Sequence, residues 1–474
     1  MTSGAVALTG MGYVGLVTAA CLAETGHAVL GLDLDAARVR LLQDGRPPFH
    51  EPGLQPLLAR HLASGRLRFT ADPAEAAAFG DFQLIAVGTP AAADGSADIG
   101  GVIAAARQIG QFRDTPCTVA IKSTVPVGTC ARVRQLLAAE WQRRGLALPA
   151  PQVASNPEFL RQGSAVQDFL RPDRIVLGCD DDASARALQA LYAPLLRDGD
   201  AALLVMDSAS AELAKYAANA MLATRLSFIN EMALLADRLG ADVESVRRAI
   251  GADPRIGGAY LQPGCGYGGS CLPKDVLALR RTAEAAGLPL RVLDGVAQAN
   301  DAQRRVLVQR LAERFGDDLQ GRRIALWGLA YRPHTDDLRE APSLTVIEEL
   351  LARGAEVVAH DPAAMPGAQA LLGERPGLRF ADSAAQAVRG ADALLIVTEW
   401  PLYAAFDLHA LRSSMRTAVV LDGRHALPAQ AALEAGIDYL ALGRAAATAA
   451  PADAPPWPVP LPAPSPTPLA QAIG

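Results

Sequence analysis

Four apolar runs of strand length, AVALTG, AVLGLD, FQLIAVGTP and TVAIKST, recur through the first half of the chain, with alanine-rich segments of helical length between them. Such alternation predicts a parallel sheet, because a strand rejoins a parallel neighbour only by crossing over, and a helix makes the crossover. From Asp207 the texture changes: DSASAELAKYAANAMLATRLSFINEMALLADRLG has no interior glycine or proline. It opens on residues that cap helices and stops at Gly240, which predicts one long helix. Further helical sequence follows, and strand and helix patterns return at RRIALWG, TVIEELLARG, EVVAHDP and ADALLIVTEW. The expected fold class is α/β, two lobes with parallel sheets joined by a long central helix and a helical middle domain. Its expected boundaries are 1–206, 207–318 and 319–445, with an alanine- and proline-rich tail at 446–474. That tail cannot build a core and is expected to be disordered or in polyproline II.

Composition removes several classes of function. With 474 residues the chain exceeds one ordinary core, and half of it is hydrophobic. A formal net charge of −6 and no block of like charge leave no basic footprint for nucleic acid. The opening MTSGAVALTGMGYVG has no basic segment ahead of its apolar run, and glycines interrupt that run. It is expected to be a first strand and not a secretory signal, which implies a cytoplasmic protein. No stretch is apolar enough for the length a bilayer demands. The six cysteines form neither a CxxC pair nor a disulfide framework, and no metal site is expected.

Two patterns carry chemistry. Gly10, Gly12 and Gly15 form G-x-G-x-x-G after the strand AVAL and before the helix-like LVTAACLAETG. In that setting the glycines allow a tight turn, close approach to a pyrophosphate and tight helix packing, while the helix N-terminus offers N–H donors. Asp33 ends the second strand at the distance expected of a carboxylate that binds a ribose 2′-hydroxyl. A carboxylate there repels a 2′-phosphate, so NAD is expected over NADP.

The second pattern is GCGYGGSCLPKD, residues 264–275. A cysteine reacts as its thiolate and has to be approached closely, and glycines at 264, 266, 268 and 269 are expected to clear that approach to Cys271. Lys274 and Asp275 share the site if a helix begins after Pro273. Cys265 lacks such neighbours. A nucleophilic thiol beside NAD points to oxidation ending at a carboxylate: the thiol adds to an aldehyde, the adduct loses hydride, and water releases an acid. Lys215 and Asn219, four apart on the long helix, project from one face. There the lysine is suited to stabilise a developing oxyanion and Asn219 to hold a water or hydroxyl.

Ordered blocks along residues 4–445 resemble the UDP-glucose/GDP-mannose dehydrogenase family: GMGYVGL, FHEPGL, VGTP, KSTVPVGT, SNPEFLRQGSAVQDF, ELAKYAANAML, RIGGAYLQPGCGYGGSCLPKD and GLAYRPHTDDLREAPS. The resemblance implies two Rossmann-like domains, NAD on the first and the nucleotide of a sugar nucleotide on the second, and a homodimer or higher oligomer through the long helix. By position it implies Cys271 as nucleophile, Lys215 and Asn219 at the oxyanion, Asp275 ordering a water, and Thr124 and Glu158 in thioester hydrolysis. For the cofactor it implies Gly10, Gly12, Tyr13, Val14, Gly15, Asp33, Arg38, Thr89, Thr124, Gln162, Lys274 and Arg339. For the sugar nucleotide it implies Glu158, Phe159, Leu160, Arg161, Gln162, Lys215, Asn219, Tyr260, Leu261, Gln262, Pro263, Gly264, Gly268 and Arg332, with Arg255 reaching the substrate of a partner subunit. The expected reaction is oxidation of UDP-glucose to UDP-glucuronate by two NAD. GDP-mannose or a UDP-N-acetylhexosamine is the alternative substrate. Three positions depart from the family pattern: Gln162 stands where a glutamate is usual, and Arg38 and Arg332 where lysines are usual. None of them removes a catalytic group.

Overall fold

A computed structural model of the chain describes residues 4–196 and 201–444. The alanine- and proline-rich tail predicted for 446–474 lies outside the described residues. The chain forms two compact units. The first takes in the chain to Leu222 together with Ser270–Asp294 and His334–Asp336, and the second takes in Ala223–Gly269, Gly295–Pro333 and the chain from Asp337.

The first unit is built on strands β1 (Ala5–Thr9), β2 (Ala28–Leu32), β3 (Leu67–Thr70), β4 (Phe82–Ile85), β5 (Thr118–Ile121), β6 (Gln152–Ser155), β7 (Arg174–Gly178) and β8 (Ala202–Met206). They lie in the order β3-β2-β1-β4-β5-β6-β7-β8. Every neighbouring pair is parallel except β6 and β7, which meet antiparallel at Ser155 and Gly178. Both faces are covered, as a parallel sheet requires. Val6 and Leu8 pack on one side with the helix Tyr13–Glu24, whose residues from Gly15 to Ala23 are all buried. On the other side Ile85, Val119 and Ile121 pack against Val102, Ile109 and Leu137 of two further helices.

The second unit repeats the plan with β9 (Arg323–Trp327), β10 (Glu356–His360), β11 (Leu378–Phe380), β12 (Ala393–Ile396), β13 (Val419–Asp422) and β14 (Asp438–Ala441), all parallel in the order β11-β10-β9-β12-β13-β14. The two-residue period of the strand divides its core: Ile324 and Leu326 face one cluster, Ala325 and Trp327 the other. Trp327 stacks on Tyr403 with ring centres 4.8 Å apart. In both sheets the strand order reverses beside the first strand, and that reversal opens a crevice at the carboxyl ends of the strands.

The predicted long helix spans Ser208–Leu239, 32 residues. Asp207 caps it through the Ser210 N–H at 2.8 Å, and Gly240 ends it at φ +69°.

Candidate functional site

The glycine turn sits at the strand reversal of the first unit, and its three glycines have different reasons to be there. Gly10 has φ +98°, and a Cβ on it would lie 2.9 Å from the Ala86 carbonyl oxygen. A Cβ on Gly15 would lie 1.8 Å from the Gly10 oxygen. The fold itself demands both. Gly12 has ordinary backbone angles, is exposed, and a Cβ there would meet nothing within 4 Å. The protein leaves that space clear at the N-terminus of Tyr13–Glu24, a helix that no side chain caps. Open space in front of uncapped N–H donors suits a diphosphate, so the residues present fit a dinucleotide.

Asp33 follows β2 and accepts the Met11 N–H at 2.9 Å and the Arg38 guanidinium at 3.0 Å. A carboxylate already paired with Arg38 presents a compensated charge where a ribose would bind. Tyr13 and Val14 are half-buried just beyond the turn. Thr89, after β4, donates its hydroxyl to the Thr124 carbonyl at 2.9 Å and so ties together two strand ends of this crevice.

Cys271 lies at the N-cap of the helix Leu272–Ala285, with Pro273 in its first turn, so the helix begins ahead of Pro273 and not after it, as a proline tolerated in a first helical turn allows. Cys271 is exposed, whereas Asp275 one turn on is buried and donates its N–H to the Cys271 carbonyl at 2.8 Å. Asn219 donates its side-chain amide to Asp275 at 2.6 Å, and Lys274 pairs with the other carboxylate oxygen at 2.5 Å. Lys215 pairs with Glu158 at 3.2 Å, both side chains about one-twentieth exposed. The structure thus brings together Cys271, Lys215, Glu158, Asn219, Lys274 and Asp275, all within the first unit.

The electrostatics of this cluster are ordered. Burial works against the Lys215 ammonium, but the charges of Glu158, Cys271 and Asp275 outweigh it and hold its pKa above the ordinary lysine value. Lys215 therefore stays charged at neutral pH. Although part of Cys271 is open to solvent, the protein packed around it, together with Glu158 and Asp275, pushes its thiol up, and Lys215 pulls it back only in part. The resting thiol is protonated.

Glu158, Phe159, Leu160, Arg161 and Gln162 follow β6 as one loop. Glu158 accepts the Leu160 N–H at 2.5 Å, and Arg161 pairs with Asp168 at 2.6 Å. Gln162 is buried.

The glycines of the cysteine loop correct one expectation. They do not clear an approach to the thiol. Gly264 would place a Cβ 2.8 Å from Arg424, Gly268 one 2.1 Å from the Glu340 carbonyl, and Gly269, at φ +85°, one 2.8 Å from the Tyr331 ring. Gly266 has φ +93°. These glycines let the loop pack against distant segments of the second unit, around the buried Cys265. Asn230 and Gln303 fix Gly264 further, through its N–H at 2.8 Å and its carbonyl at 2.7 Å.

The remaining predicted residues also lie in the second unit. Tyr260 takes φ +58°, Leu261 and Pro263 are buried, and Gln262 is exposed. Arg255 is 87% exposed and paired with Asp253. Arg332 is half-buried, and Arg339 pairs with Asp337 at 2.6 Å.

Sequence reasoning passed over two cations, one half-buried and one buried. Arg424 donates to the Val397 and Gly266 carbonyls at 2.8 and 3.2 Å, with the loop packed on it. Lys122 faces Asn156 at 3.3 Å, and burial lowers its pKa to about 8. The lysine stood in the KSTVPVGT block; a basic residue inside an apolar strand end was the available signal.

Known proteins resemble this chain along most of its length. The NAD binding domain of the UDP-glucose/GDP-mannose dehydrogenase family matches residues 4–196, its central domain 209–302 and its UDP binding domain 325–429. The chain is 48% identical to a UDP-glucose 6-dehydrogenase of Pseudomonas aeruginosa, over 92% of this chain and 96% of that one. A solved UDP-glucose dehydrogenase from Pyrobaculum islandicum superposes with a TM-score of 0.85 at 42% identity, covering 94% of this chain and 98% of that one. A UDP-D-ManNAc dehydrogenase from Pyrococcus horikoshii superposes at 0.80 with 26% identity, over 93% and 99%. Among the described residues no helix is long and apolar enough to cross a membrane.

Proposed function

Since the chain belongs to the UDP-glucose/GDP-mannose dehydrogenase family, we propose that it oxidises UDP-glucose to UDP-glucuronate, with NAD as oxidant and Cys271 as covalent nucleophile. Identities of 48% and 42% to UDP-glucose dehydrogenases, against 26% to the dehydrogenase of an acetamido sugar, favour UDP-glucose over the alternatives. The observation that carries the mechanism is the buried set of Lys215, Glu158, Asn219 and Asp275 gathered around Cys271.

NAD, when bound at Gly10–Gly15 and Asp33, supplies the hydride acceptor for alcohol to aldehyde and again for thiohemiacetal to thioester, one molecule for each. Lys215, held charged, is unsuited to take the first proton and suited to stabilise negative charge on the C6 oxygen. The proton of the C6 hydroxyl passes to water ordered by Asp275 and Asn219. The Cys271 sulfur then bonds to the aldehyde carbon while its proton moves to the carbonyl oxygen, which restrains free aldehyde from leaving; when this adduct gives up the second hydride, its hydroxyl proton passes to the same ordered water. In the last step water adds to the thioester, Glu158 takes its proton with Thr124 helping to place it, and the carbon–sulfur bond breaks to return the thiol.

Residues 1–206 are assigned to NAD, 207–318 to the helical middle domain and 319–445 to UDP. A cytoplasmic setting fits a reaction that consumes NAD and a nucleotide sugar. The long helix supports a homodimer: Phe228 and Leu235 lie seven residues apart and are 47% and 46% exposed. That spacing lines them up as one apolar stripe. The purified chain is expected to sediment as a dimer or a multiple of it, and a monomer at micromolar concentration would exclude this use of the helix.

The reaction is tested by NADH yield with UDP-glucose, GDP-mannose and UDP-N-acetylglucosamine in parallel. Two NADH per UDP-glucose are expected, and Cys271→Ser leaves no more than one. A yield of one from the unaltered enzyme removes the covalent step, and two from another sugar overturns the substrate.

A further inference from the structure

The FHEPGL segment, residues 49–54, supplies none of the groups used above, yet it buries a carboxylate. Glu51 is 6% exposed, and its three hydrogen-bond donors come from two places. One carboxylate oxygen accepts the Ala165 N–H at 2.8 Å. The other accepts the Gly163 N–H at 2.7 Å and the hydroxyl of Tyr13. Tyr13 directly follows Gly12 of the dinucleotide turn, while Gly163 and Ala165 directly follow the loop Glu158–Gln162.

The neighbours of Glu51 make the same two attachments. Phe49 packs on Tyr13 with ring centres 4.9 Å apart, and Gly53, at φ +81°, lies against Val166. Packing alone would be served by an apolar side chain, since a buried carboxylate costs free energy unless every lone pair finds a donor. Here the donors are a hydroxyl from the turn and two backbone N–H groups from the loop. The carboxylate is the shared acceptor of both.

We propose that Glu51 is a positioning residue that couples the two binding sites: order imposed on Tyr13 by a dinucleotide is passed through its carboxylate to Gly163 and Ala165, and so to the loop Glu158–Gln162. The inference rests on the assignment of that loop to the sugar nucleotide. Coupling of this kind needs two arrangements of one connected element, and the bond from the Tyr13 hydroxyl, made or broken, supplies them.

The test is hydrogen exchange of residues 158–168 with saturating NADH and no sugar nucleotide, saturation being checked separately for each variant. In the unaltered enzyme NADH slows exchange across this segment, by about fivefold or more if the coupling is of ordinary size. Tyr13→Phe removes the hydroxyl at the turn's end of the link and leaves Glu51 its two N–H donors. In that variant bound NADH no longer slows exchange of the segment. Glu51→Gln, whose amide would face an N–H donor, raises exchange there even without NADH. Equal protection by NADH in the unaltered enzyme and Tyr13→Phe, or no protection in either, overturns the proposal. A calorimetric titration with UDP-glucose reports separately on the function: failure of that sugar to bind would defeat the substrate assignment without altering the NADH result.

Discussion

The two sheets share one device and put it to different uses. After its first strand each carries a left-handed glycine, Gly10 at φ +98° and Gly328 at φ +95°, and after its second strand an aspartate that accepts the backbone beyond that glycine. Asp33 takes the Met11 N–H at 2.9 Å, and Asp361 takes the Leu329 N–H at 2.7 Å. The difference lies in what else each acid does. Asp361 is 1% exposed and also accepts Ala330, Ala363, Ala364 and the Trp400 indole, so its lone pairs are spent inside the protein. Asp33 has few internal donors and pairs with a partly exposed arginine at the rim. The glycine and the acid are therefore a property of the fold. A dinucleotide site needs something more, which the first sheet supplies in Gly12 and the second replaces with LAYRP.

The sharpest way to break this comparison is Asp361→Asn. An amide nitrogen in place of either carboxylate oxygen would face at least two N–H donors at 2.7–3.1 Å, leaving them unsatisfied in a buried site. Each such donor costs about 1–3 kcal/mol, so the variant is expected to lose about 3 kcal/mol or more. The check is the denaturation midpoint of the purified protein. A midpoint equal to that of the unaltered protein would mean that Asp361 is as free as Asp33, and the proposed division between structural and ligand-facing acids would fall.

How far the sequence could be read follows the same division. The dinucleotide turn was legible because its strand, glycines, helix and acid lie within 30 residues, and each has a local physical reason. Lys215 and Asn219 were legible through helical spacing, and the helix bounds through capping chemistry. The cysteine loop was half legible. A helix close behind its thiol is legible, but the reason for its glycines is not, because the atoms they avoid belong to Tyr331, Glu340 and Arg424, far along the chain. No periodicity encodes such an approach. Glu51 was illegible for a related reason: its donors are a hydroxyl 38 residues before it and backbone N–H groups 112 and 114 residues after it. A backbone donor leaves no mark in a sequence.

A finer prediction separates a glycine kept for the fold from one kept for a ligand, and Gly12 is where it applies. Its backbone, φ −73° and ψ −166°, is one that alanine adopts without strain, and a Cβ there would meet nothing within 4 Å. Gly12→Ala is therefore expected to leave the denaturation midpoint within about 0.5 kcal/mol of its starting value, as ordinary surface changes do. The added methyl nevertheless stands where a diphosphate has to approach the backbone. A misfit of one methyl costs about 1–3 kcal/mol, so NADH affinity should fall by about fivefold or more. Fluorescence titration of NADH and a thermal melt on the same preparation measure the two quantities together. If affinity stayed and stability fell, Gly12 would join Gly10 and Gly15 as a residue of the fold, and the space in front of it would no longer argue for a cofactor. If affinity fell alone, the empty volume at the end of β1 would be accounted for by the ligand, and Gly12 would mark where the first sheet departs from the device it shares with the second.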